Sequence, residues 1–453
     1  MKIAILGGGI TGLVAGFQLA KKDHQVTIFE QADKLGGLAK GFYSQSGDWQ
    51  WPLETFYHHI FANDKDILDF SNEIGYKNIF FQQPVTASLY NNNLELKTQI
   101  SKPKLKTKNF IQYPLDTPLD LLRFPLLNPL DKIRAGATIL FLKLSPFLKL
   151  FENYPAKDFL IKTMGENSWK VLWQQLFREK FGKYAGIITT SFIWARIKKR
   201  TKSLGYVKGG FQNFIDYLEK INYQTGVTIN KQTTVTKISR LKNYKFRLNY
   251  LKGDDKNLEE FDMVISTAPT QVLVKLGADL LPKQYVDKLN EIKYLHALVL
   301  VLETDKPILD KTYWLNICTE SVPMMVLVQH TNFIDKKHYS DKHIAYIGYY
   351  LDQDNPLFKK TKDELIDYLK PYLNSIRGDK NYKITDSYRF VGPYAQAIFD
   401  KEFPQLKPDY ITPVKNFYIA NLDMTYPYDR GTNFAVKMGR EVAELANSVK
   451  SKT

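Results

Sequence analysis

The beginning of the chain alternates strand-like runs with one helical pattern. Residues 2–6 form a short, mostly apolar run, and residues 12–22 then place apolar side chains at the spacing of a helix. Residues 26–29 form a second strand-like run. Strand, helix and strand in this order predict a parallel βαβ unit with a right-handed crossover. We therefore expect an α/β chain whose first sheet is parallel and doubly wound.

Farther along, the pattern changes several times. Residues 64–199 are mostly helix-like, and prolines divide them into short amphipathic pieces. The later predictions are strands at 227–229, 245–251 and 263–267, second-sheet strands at 295–303 and 344–351 with a helix at 362–373 packed on them, a last strand at 417–420 and a last helix at 433–449. The predicted divisions are a first domain of residues 1–63, 200–270 and 385–453, a helical lobe of residues 64–199, and a second domain with a mixed sheet at 271–384.

A glycine motif follows the first strand. Gly7, Gly9 and Gly12 have the spacing G-x-G-x-x-G and open the helix. In this setting glycines permit a tight turn, close approach of a pyrophosphate and close helix–strand packing. Glu30 ends the second strand, where a carboxylate can accept hydrogen bonds from ribose hydroxyls. Together these features favour a dinucleotide site over the alternative, a glycine-rich turn with a solvated glutamate.

A second glycine pair indicates which dinucleotide. Residues 35–39 read LGGLA, and with the first motif they resemble the flavin amine oxidase and protoporphyrinogen oxidase superfamily, which includes phytoene desaturases and UDP-galactopyranose mutases. Residues 54–68, ETFYHHIFANDKDIL, are similar to a segment of the mutases. The segment YVKGGF at 206–211 resembles the glycine pair before a cofactor-side helix, and residues 266–269 resemble the strand end that turns towards the flavin. Residues 418–440 take the place of the C-terminal FAD motif.

The resemblance implies a Rossmann-type domain with noncovalent FAD, whose adenine lies beside Val235. The implied cofactor-binding residues are Gly7, Gly9, Ile10, Thr11, Gly12, Glu30, Gly36, Gly37, Leu38, Val235, Asn421, Thr432 and Asn433. Residues 420–423, ANLD, depart from the glycine and acid that relatives often carry there. No lysine matches the one that many amine oxidases hold near the flavin, which disfavours amine oxidation. A single fingerprint gives no support for a separate NAD(P)-binding domain.

Two adjacent histidines are candidate catalytic residues, because histidine titrates near neutrality. Neighbouring residues on a strand point to opposite faces, so at most one of the two is expected to face the cofactor, and the other is expected to be structural. By resemblance to the mutase segment we assign catalysis to His59 and substrate contact to His58 and Tyr57. The alternative is a histidine buried in the core.

Two arginines are candidates for holding phosphate, since the guanidinium group binds phosphate with two hydrogen bonds. Arg430 precedes the last helix and is predicted to be catalytic, whereas Arg196 is assigned to substrate binding together with Trp194. The FAD pyrophosphate is the other phosphate that the arginines could hold. Ion pairing of the arginines and core packing of the tryptophan are the alternatives.

Composition changes this picture little. The net charge is +16, from 63 Lys and Arg against 47 Asp and Glu, yet no nucleic-acid signature accompanies it, so we expect solvated lysines and no nucleic-acid partner. Cys318 is the only cysteine, which excludes an intramolecular disulfide and fits a reducing cytoplasm. No metal site is predicted. The oligomeric state stays open.

A membrane-spanning helix is not expected, because lysines interrupt residues 136–151 before they reach the ~20 apolar residues that a span requires. The run at residues 3–6 is likewise too short for a secretory signal. Residues 121–151 combine apolar and basic side chains, which leaves open a peripheral contact with the inner face of a membrane. A helix packed on its own lobe would give the same pattern.

The main functional prediction is an FAD-dependent oxidoreductase that moves a hydride from a small organic substrate to flavin. A mutase-like reaction on a nucleotide sugar is the first alternative, in which reduced flavin is the nucleophile. The second alternative is a flavin-binding protein without turnover.

Overall fold

The computed structural model describes residues 1–92, 105–106 and 109–448. The strands are β1 (Lys2–Leu6), β2 (Gln25–Phe29), β3 (Gly41–Phe42), β4 (Leu53–Glu54), β5 (Ile60–Phe61), β6 (Ile79–Gln82), β7 (Val85–Asn91), β8 (Leu105–Lys106), β9 (Phe110–Tyr113), β10 (Leu204–Val207), β11 (Thr228–Asn230), β12 (Thr233–Arg240), β13 (Phe246–Lys252), β14 (Asp255–Phe261), β15 (Met263–Ser266), β16 (Tyr294–Thr304), β17 (Thr312–Ile317), β18 (Val326–Gln329), β19 (His343–Leu351), β20 (Ile384–Ala397) and β21 (Phe417–Ile419).

The helices are α1 (Ile10–Ala20), α2 (Lys65–Glu73), α3 (Pro118–Arg123), α4 (Pro129–Leu144), α5 (Leu148–Phe151), α6 (Ala156–Met164), α7 (Glu166–Trp169), α8 (Gln175–Phe181), α9 (Thr190–Lys199), α10 (Gly210–Gln224), α11 (Thr270–Leu276), α12 (Lys283–Asn290), α13 (Lys362–Arg377), α14 (Phe403–Leu406) and α15 (Thr432–Ser448). A π-helical stretch, Lys170–Gln174, joins α7 to α8. Residue 449, the end of the last predicted helix, lies outside the described residues.

A five-stranded parallel sheet contains the first strands of the chain, in the order β11-β2-β1-β15-β21. Both faces of β1 are buried, as its apolar run requires in a parallel sheet. Ile3 and Ile5 pack in the core that includes residues of α1, α10 and α15. Ala4 and Leu6 pack on the other side, against apolar residues of β12, β13 and β14. The structure thus confirms the predicted α/β class and parallel sheet.

The strands β12, β13 and β14 form an antiparallel meander beside this sheet. Residues 252–257, which lie between two of the predicted strands, form a β-hairpin that joins β13 to β14, and β14 is a strand that the sequence did not predict. Most side chains of β14 are exposed, so its sequence, DKNLEEF, lacks the apolar alternation of a half-buried strand.

A mixed eight-stranded sheet forms the second layer, in the order β20-β16-β19-β18-β17-β7-β9-β8. The strands predicted at 295–303 and 344–351 are β16 and β19, which pair antiparallel. The predicted helix at 362–373 extends to Arg377 as α13, and it packs on this sheet through Leu365, Leu369 and Leu373.

The domain boundaries stay predictions, but two segments lie in this sheet rather than with their predicted neighbours. Strands β7 and β9 come from the stretch predicted to be mostly helical, and β7 pairs parallel with β17. Strand β20 comes from the stretch assigned to the first domain, and it pairs antiparallel with β16. The chain therefore crosses between its layers more often than composition indicated.

Helices α3 to α9 form the predicted helical lobe. Trp169, Phe177, Phe181, Phe192 and Trp194 are buried in it, and several of their rings contact one another. Among the helices that the structure describes, none has the length and apolar character needed to cross a membrane.

Candidate active site

The first glycine loop connects β1 to α1 and is shaped by close approach. A Cβ on Gly12 would lie 2.0 Å from the carbonyl oxygen of Gly7, so the helix can meet the loop only at a glycine. A Cβ on Gly9, by contrast, would meet no protein atom within 4 Å. Gly9 is also the residue that caps α1, and Ile10 and Thr11, both buried, form the first turn. The open space beside Gly9 at a helix N-terminus is where a pyrophosphate would bind.

Glu30 follows β2, as predicted, and two backbone amides orient its carboxylate. Gly8 N donates to Oε2 and Ala32 N donates to Oε1, each at 2.8 Å. A carboxylate has about four acceptor positions, so capacity for ribose hydroxyls remains. Thr233 N donates to the Glu30 carbonyl, which places the start of β12 beside the end of β2, and Val235 lies two residues farther along β12.

The second glycine pair closes over the first loop. Gly36 N donates to Gly8 O at 2.9 Å, and a Cβ on Gly37 would lie 3.6 Å from the Cα of Gly9. Gly36 has φ +118°, a conformation that glycine adopts at little cost. Leu38 follows in a short 3₁₀ turn and reaches Gly392 of β20. The structure therefore brings the two motifs together into one cradle, which ends at the eight-stranded sheet.

The start of α15 lies near this cradle. A Cβ on Gly439 would lie 2.7 Å from Thr11 O, so the second turn of α15 packs against the first turn of α1. Thr432 Oγ1, in the first turn of α15, is buried without a hydrogen-bond partner among the described residues. Ser266 Oγ, where β15 ends, is another such atom. An open glycine cradle and unpaired buried hydroxyls fit a polar cofactor, so the residues present fit FAD.

Two of the residues assigned to the cofactor are occupied by other parts of the chain. Asn433 accepts a hydrogen bond from Ile67 N and donates to Asp66, which fixes α2 against α15. Asn421 donates to Ala268 O and Thr270 Oγ1, so both of its amide hydrogens are used. Their side chains position elements around the cradle.

The segment at residues 54–61 runs from the cradle across the eight-stranded sheet. The carboxylate of Glu54 accepts hydrogen bonds from Tyr206 Oη at 2.8 and 2.9 Å and from Phe211 N at 2.7 Å. Tyr346 Oη donates to the Glu54 carbonyl at 2.7 Å. Burial raises the pKa of the Glu54 carboxyl to about 7. Glu54 therefore fixes this segment between the start of α10 and β19.

Tyr57, His58 and His59 have different surroundings. The Tyr57 ring lies edge-on to Trp314 of β17 and against Gly348 of β19. His58 contacts Phe211, whereas His59 contacts Trp314, and His59 Nδ1 is buried without a hydrogen-bond partner among the described residues. Burial lowers the pKa of His58 to about 4 and that of His59 to about 3. Both imidazoles are therefore neutral near pH 7.

A group of charged side chains lies between the helical lobe and the loop before α15. The Lys180 ammonium lies 2.8 Å from Asp429 Oδ2, and Arg196 Nη1 lies 3.6 Å from the same oxygen. Arg430 donates to Tyr350 Oη and Ala395 O, and its guanidinium lies 4.8 Å from the centre of the Tyr350 ring. We call Lys180, Arg196, Asp429 and Arg430 the charged cluster.

Burial and mutual charge set the ionisation of the cluster. Burial would raise the pKa of Asp429, but Lys180, Arg430 and Arg196 hold it at about 2. Burial lowers the pKa of Lys180 to about 8, against the opposing effect of Asp429. Near pH 7 the cluster therefore carries one negative and three positive charges.

The sequence assigned functions to Arg196 and Arg430 but none to Lys180 or Tyr350. Lys180 lies among aromatic residues of the lobe, and Tyr350 ends an ordinary apolar strand, so neither position carried a local signal. Trp194 is buried, and its indole N–H donates to Ser145 O at 2.8 Å. It packs within the lobe, which supports the alternative of core packing.

A parallel dinucleotide fold with a double glycine cradle defines a flavoprotein, and comparison with known proteins identifies its family. The sequence profile of the flavin-containing amine oxidoreductases matches residues 10–447. The chain belongs to this family. FAD is its flavin cofactor, and the family is one of oxidoreductases.

Solved structures show the same fold over nearly the whole chain. A protein from Exiguobacterium sp. 255-15, proposed to be a protoporphyrinogen oxidase, has a TM-score of 0.73 at 16% identity, covering 100% of this chain and 99% of that one. Reduced UDP-galactopyranose mutase has a TM-score of 0.71 at 14% identity, with coverage of 99% and 96%. Putrescine oxidase bound to putrescine has a TM-score of 0.70 at 15% identity, with coverage of 99% of each chain.

Curated relatives match over shorter stretches. A 4,4'-diapophytoene desaturase of Staphylococcus haemolyticus (strain JCSC1435) is 52% identical over 42 residues, which are 9% of this chain and 8% of the desaturase. An L-amino-acid oxidase of Naja atra is 23% identical over 164 residues, 35% of this chain and 31% of the oxidase. The chain thus aligns with less than a third of either protein.

Proposed function

We propose that the protein oxidises a small organic substrate by hydride transfer to FAD, and that the reaction takes place between the glycine cradle and the charged cluster. This proposal is based on one observation: strand β20 contacts both the glycine cradle and the charged cluster. Leu38 extends the cradle to β20, and Arg430 donates to Ala395 O of the same strand. Bound FAD supplies an acceptor for two electrons and one proton, taken as a hydride from a substrate carbon or nitrogen.

Arg430 is the proposed electrostatic catalyst of this site. Its guanidinium is held by Tyr350 and Ala395, so its charge stays in one place during turnover. A fixed positive charge stabilises negative charge that develops as electrons arrive, without a cost for reorienting solvent. Asp429 and Tyr350 contribute to holding that orientation.

His59 is proposed to form a hydrogen bond with substrate rather than to store a proton. Its unpaired Nδ1 is available for one hydrogen bond. A pKa of about 3 makes the ring a poor proton acceptor near pH 7, because a general base works best when its pKa lies near the working pH. Tyr57 and His58 are proposed to line the substrate space beside it.

The proposed hydride transfer can be tested with the FAD-loaded enzyme. The enzyme is mixed without oxygen with amines, polyprenoids, hydroxy acids and sugar nucleotides, and flavin absorbance is recorded. Bleaching by one substrate class, reversed by oxygen or another acceptor, supports the proposal. The absence of bleaching in every class would contradict it.

A mutase-like reaction is the second candidate, and the charged cluster is the observation that favours it. A diphosphate group would neutralise the excess positive charge of the cluster, and arginine side chains bind phosphate in many proteins. This reaction needs reduced flavin and produces an isomer without net oxidation. Product analysis therefore distinguishes it from hydride transfer.

We also propose a peripheral contact with an anionic membrane through the outer face of α3 to α5. On α4, Leu130, Ile133, Leu140, Phe141 and Leu144 recur at helical spacing and are 47–71% exposed. The opposite face of α4 is buried in the lobe through Ala135, Thr138 and Leu142, so the helix is apolar on both sides. Exposed apolar patches of this kind are typical of interaction sites.

The same region carries the charge that an anionic surface would attract. The basic side chains there are Arg123, Lys132, Lys143 and Lys149, and the exposed apolar side chains continue beyond α4 at Leu119, Leu122, Phe147 and Leu150. An apolar face bordered by lysine and arginine is typical of helices that lie on membranes.

A further inference from the structure

The charged cluster contains more positive than negative charge. Lys180 and Arg196 both pair with Asp429, and no other carboxylate among the described residues forms an ion pair with the three cations of the cluster. Acids on nearby elements are engaged elsewhere, since Glu179 accepts a hydrogen bond from Gln175 and Asp352 pairs with Lys183 at 2.9 Å. Three positive charges against one negative leave an excess of two.

Two polar groups of this region have donors to spare. Within the described chain, the side chain of Arg196 forms no hydrogen bond, and its only ion pair is the 3.6 Å contact with Asp429. The Tyr57 hydroxyl also forms no hydrogen bond there, and it lies within electrostatic reach of Arg196, Arg430 and Asp429. Arg196 keeps 41% of its side-chain surface exposed, although surrounding protein lowers its pKa. The Arg196 side chain therefore has free donors that a ligand can reach from solvent.

We propose that Arg196 and Tyr57, supported by Lys180 and Arg430, bind an oxyanion of the substrate, either a carboxylate or a phosphate. An excess of positive charge that is partly removed from water costs free energy unless an anion neutralises it. Guanidinium and phenol donors are suited to an oxyanion, and arginine can hold it with two hydrogen bonds. This inference rests on the proposed function, since it describes the substrate of the same site.

The position of the cluster separates this anion from the phosphates of FAD. Lys180 and Arg196 belong to the helical lobe, and Tyr350 belongs to the eight-stranded sheet. The open space for the pyrophosphate lies beside Gly9, at the start of α1. An excess of positive charge also disfavours an ammonium substrate, because like charges repel across a partly desolvated site. The substrate is therefore an anion-bearing compound and not a simple amine.

The test measures anion binding to oxidised, FAD-saturated enzyme without turnover. Inorganic phosphate, acetate and butylammonium are titrated separately at constant ionic strength, and the flavin spectrum and the melting temperature are recorded. The wild type is compared with Arg196→Gln and with Arg178→Gln, an exposed arginine of α8 that pairs with Glu320 and serves as the matched control.

Phosphate or acetate is expected to bind saturably to the wild type and to Arg178→Gln, and at least about tenfold more weakly to Arg196→Gln. A stronger response to phosphate than to acetate identifies a phosphate group, and the reverse identifies a carboxylate. Butylammonium should give no saturable response. If Arg196→Gln does not fold, Tyr57→Phe is the second variant, and weaker anion binding is again expected.

Equal anion affinity in the wild type and the folded variant would overturn the inference. So would saturable binding of butylammonium alone, or an equal loss of FAD affinity and anion affinity in Arg196→Gln, which would assign the cation to the cofactor. Hydride transfer is tested separately. Bleaching by an uncharged substrate without anion binding would reject this inference alone, whereas anion binding without any bleaching would reject the proposed function alone.

Discussion

At the scale of single residues, Gly9 separates cofactor binding from folding. A Cβ at this position would meet no protein atom within 4 Å, but it would enter the space beside the helix N-terminus. Gly9→Val should therefore fold with an unchanged apoprotein melting temperature and lose FAD affinity by at least about a hundredfold. Flavin content after purification and FAD titration measure the loss.

Two glycines serve as controls for this variant. Gly186→Val adds a side chain at an exposed glycine with open space around it, so it should keep both FAD and stability. Gly12→Ala should lower stability, because the new Cβ would lie 2.0 Å from a backbone oxygen. Normal FAD binding by Gly9→Val would show that the cofactor does not use this loop.

Arg430 is expected to matter for the reaction more than for the cofactor. Arg430→Ala removes the charge held by Tyr350 and Ala395, so flavin reduction should slow on the order of a hundredfold while FAD stays bound. Flavin content, melting temperature and reduction rate are measured on one sample. Arg430→Lys, which keeps the charge, should recover part of the rate. Unchanged reduction with a lowered melting temperature would make Arg430 a structural residue.

Local sequence patterns predicted some residues of the candidate site and gave no signal for others. The glycines and Glu30 were predictable because their spacing follows the chain through one βαβ unit. Lys180 lies 249 residues from Asp429 in the sequence, and Tyr350 lies 80 residues from Arg430. Only tertiary packing brings each pair together. Asn421 and Asn433 show the reverse case, because their motif suggested cofactor contacts while their side chains bind other parts of the chain.

At the scale of elements, Glu54 anchors the start of α10, and its ionisation makes the stability of the protein depend on pH. Burial raises its folded pKa from 4.5 to about 7, so the native state keeps a proton that the unfolded state releases in this window. The contribution of Glu54 to the free energy of unfolding is fully present below pH 4.5 and is lost as the pH rises towards 7. The total loss is on the order of 3 kcal/mol. Glu54→Gln should remove this loss.

Denaturant unfolding at several pH values measures the difference between wild type and Glu54→Gln. Glu179, whose pKa burial also raises to about 7, is present in both proteins, so its contribution cancels. Parallel stability curves for the two proteins between pH 4.5 and 7 would show that Glu54 has an ordinary pKa.

The outer face of α4 should determine membrane contact. The double variant Ile133→Glu and Leu144→Glu places two acids in the most exposed part of this face, so binding to vesicles of anionic lipid should fall at least about tenfold. Leu258→Glu, at a leucine 63% exposed on β14, is the matched control and should bind like wild type. Sedimentation with vesicles measures binding. Equal binding by all three proteins, or none by the wild type, would reject the contact.

The spacing of apolar residues predicted the helices and strands that bury a regular face. It missed strands that are exposed or very short. The strands β1, β2, β16 and β19 are mostly apolar runs and were predicted within one residue at each end. The strand β14 is exposed along most of its length, and β9 is only four residues long, so neither gave a usable period.

At the scale of the whole molecule, the chain alternates between its parallel sheet and its mixed sheet. The parallel sheet takes strands from residues 2–6, 25–29, 228–230, 263–266 and 417–419, and the described strands of the mixed sheet lie between these, within residues 85–113 and 294–397. Composition cannot reveal such crossings, because pairing partners lie far apart in sequence. The family resemblance supplied this architecture in outline, and the strand pairing gives its details.

The proposed enzyme removes two hydrogens from its substrate while FAD accepts a hydride. The most direct measurement is a single turnover without oxygen, in which reduced flavin and product are quantified for a substrate found by bleaching. If hydride transfer occurs, one flavin is reduced for each substrate consumed, and the product lacks two hydrogens. An isomer of the substrate formed by prereduced enzyme, with no flavin reduced by any compound, would contradict it and identify a mutase.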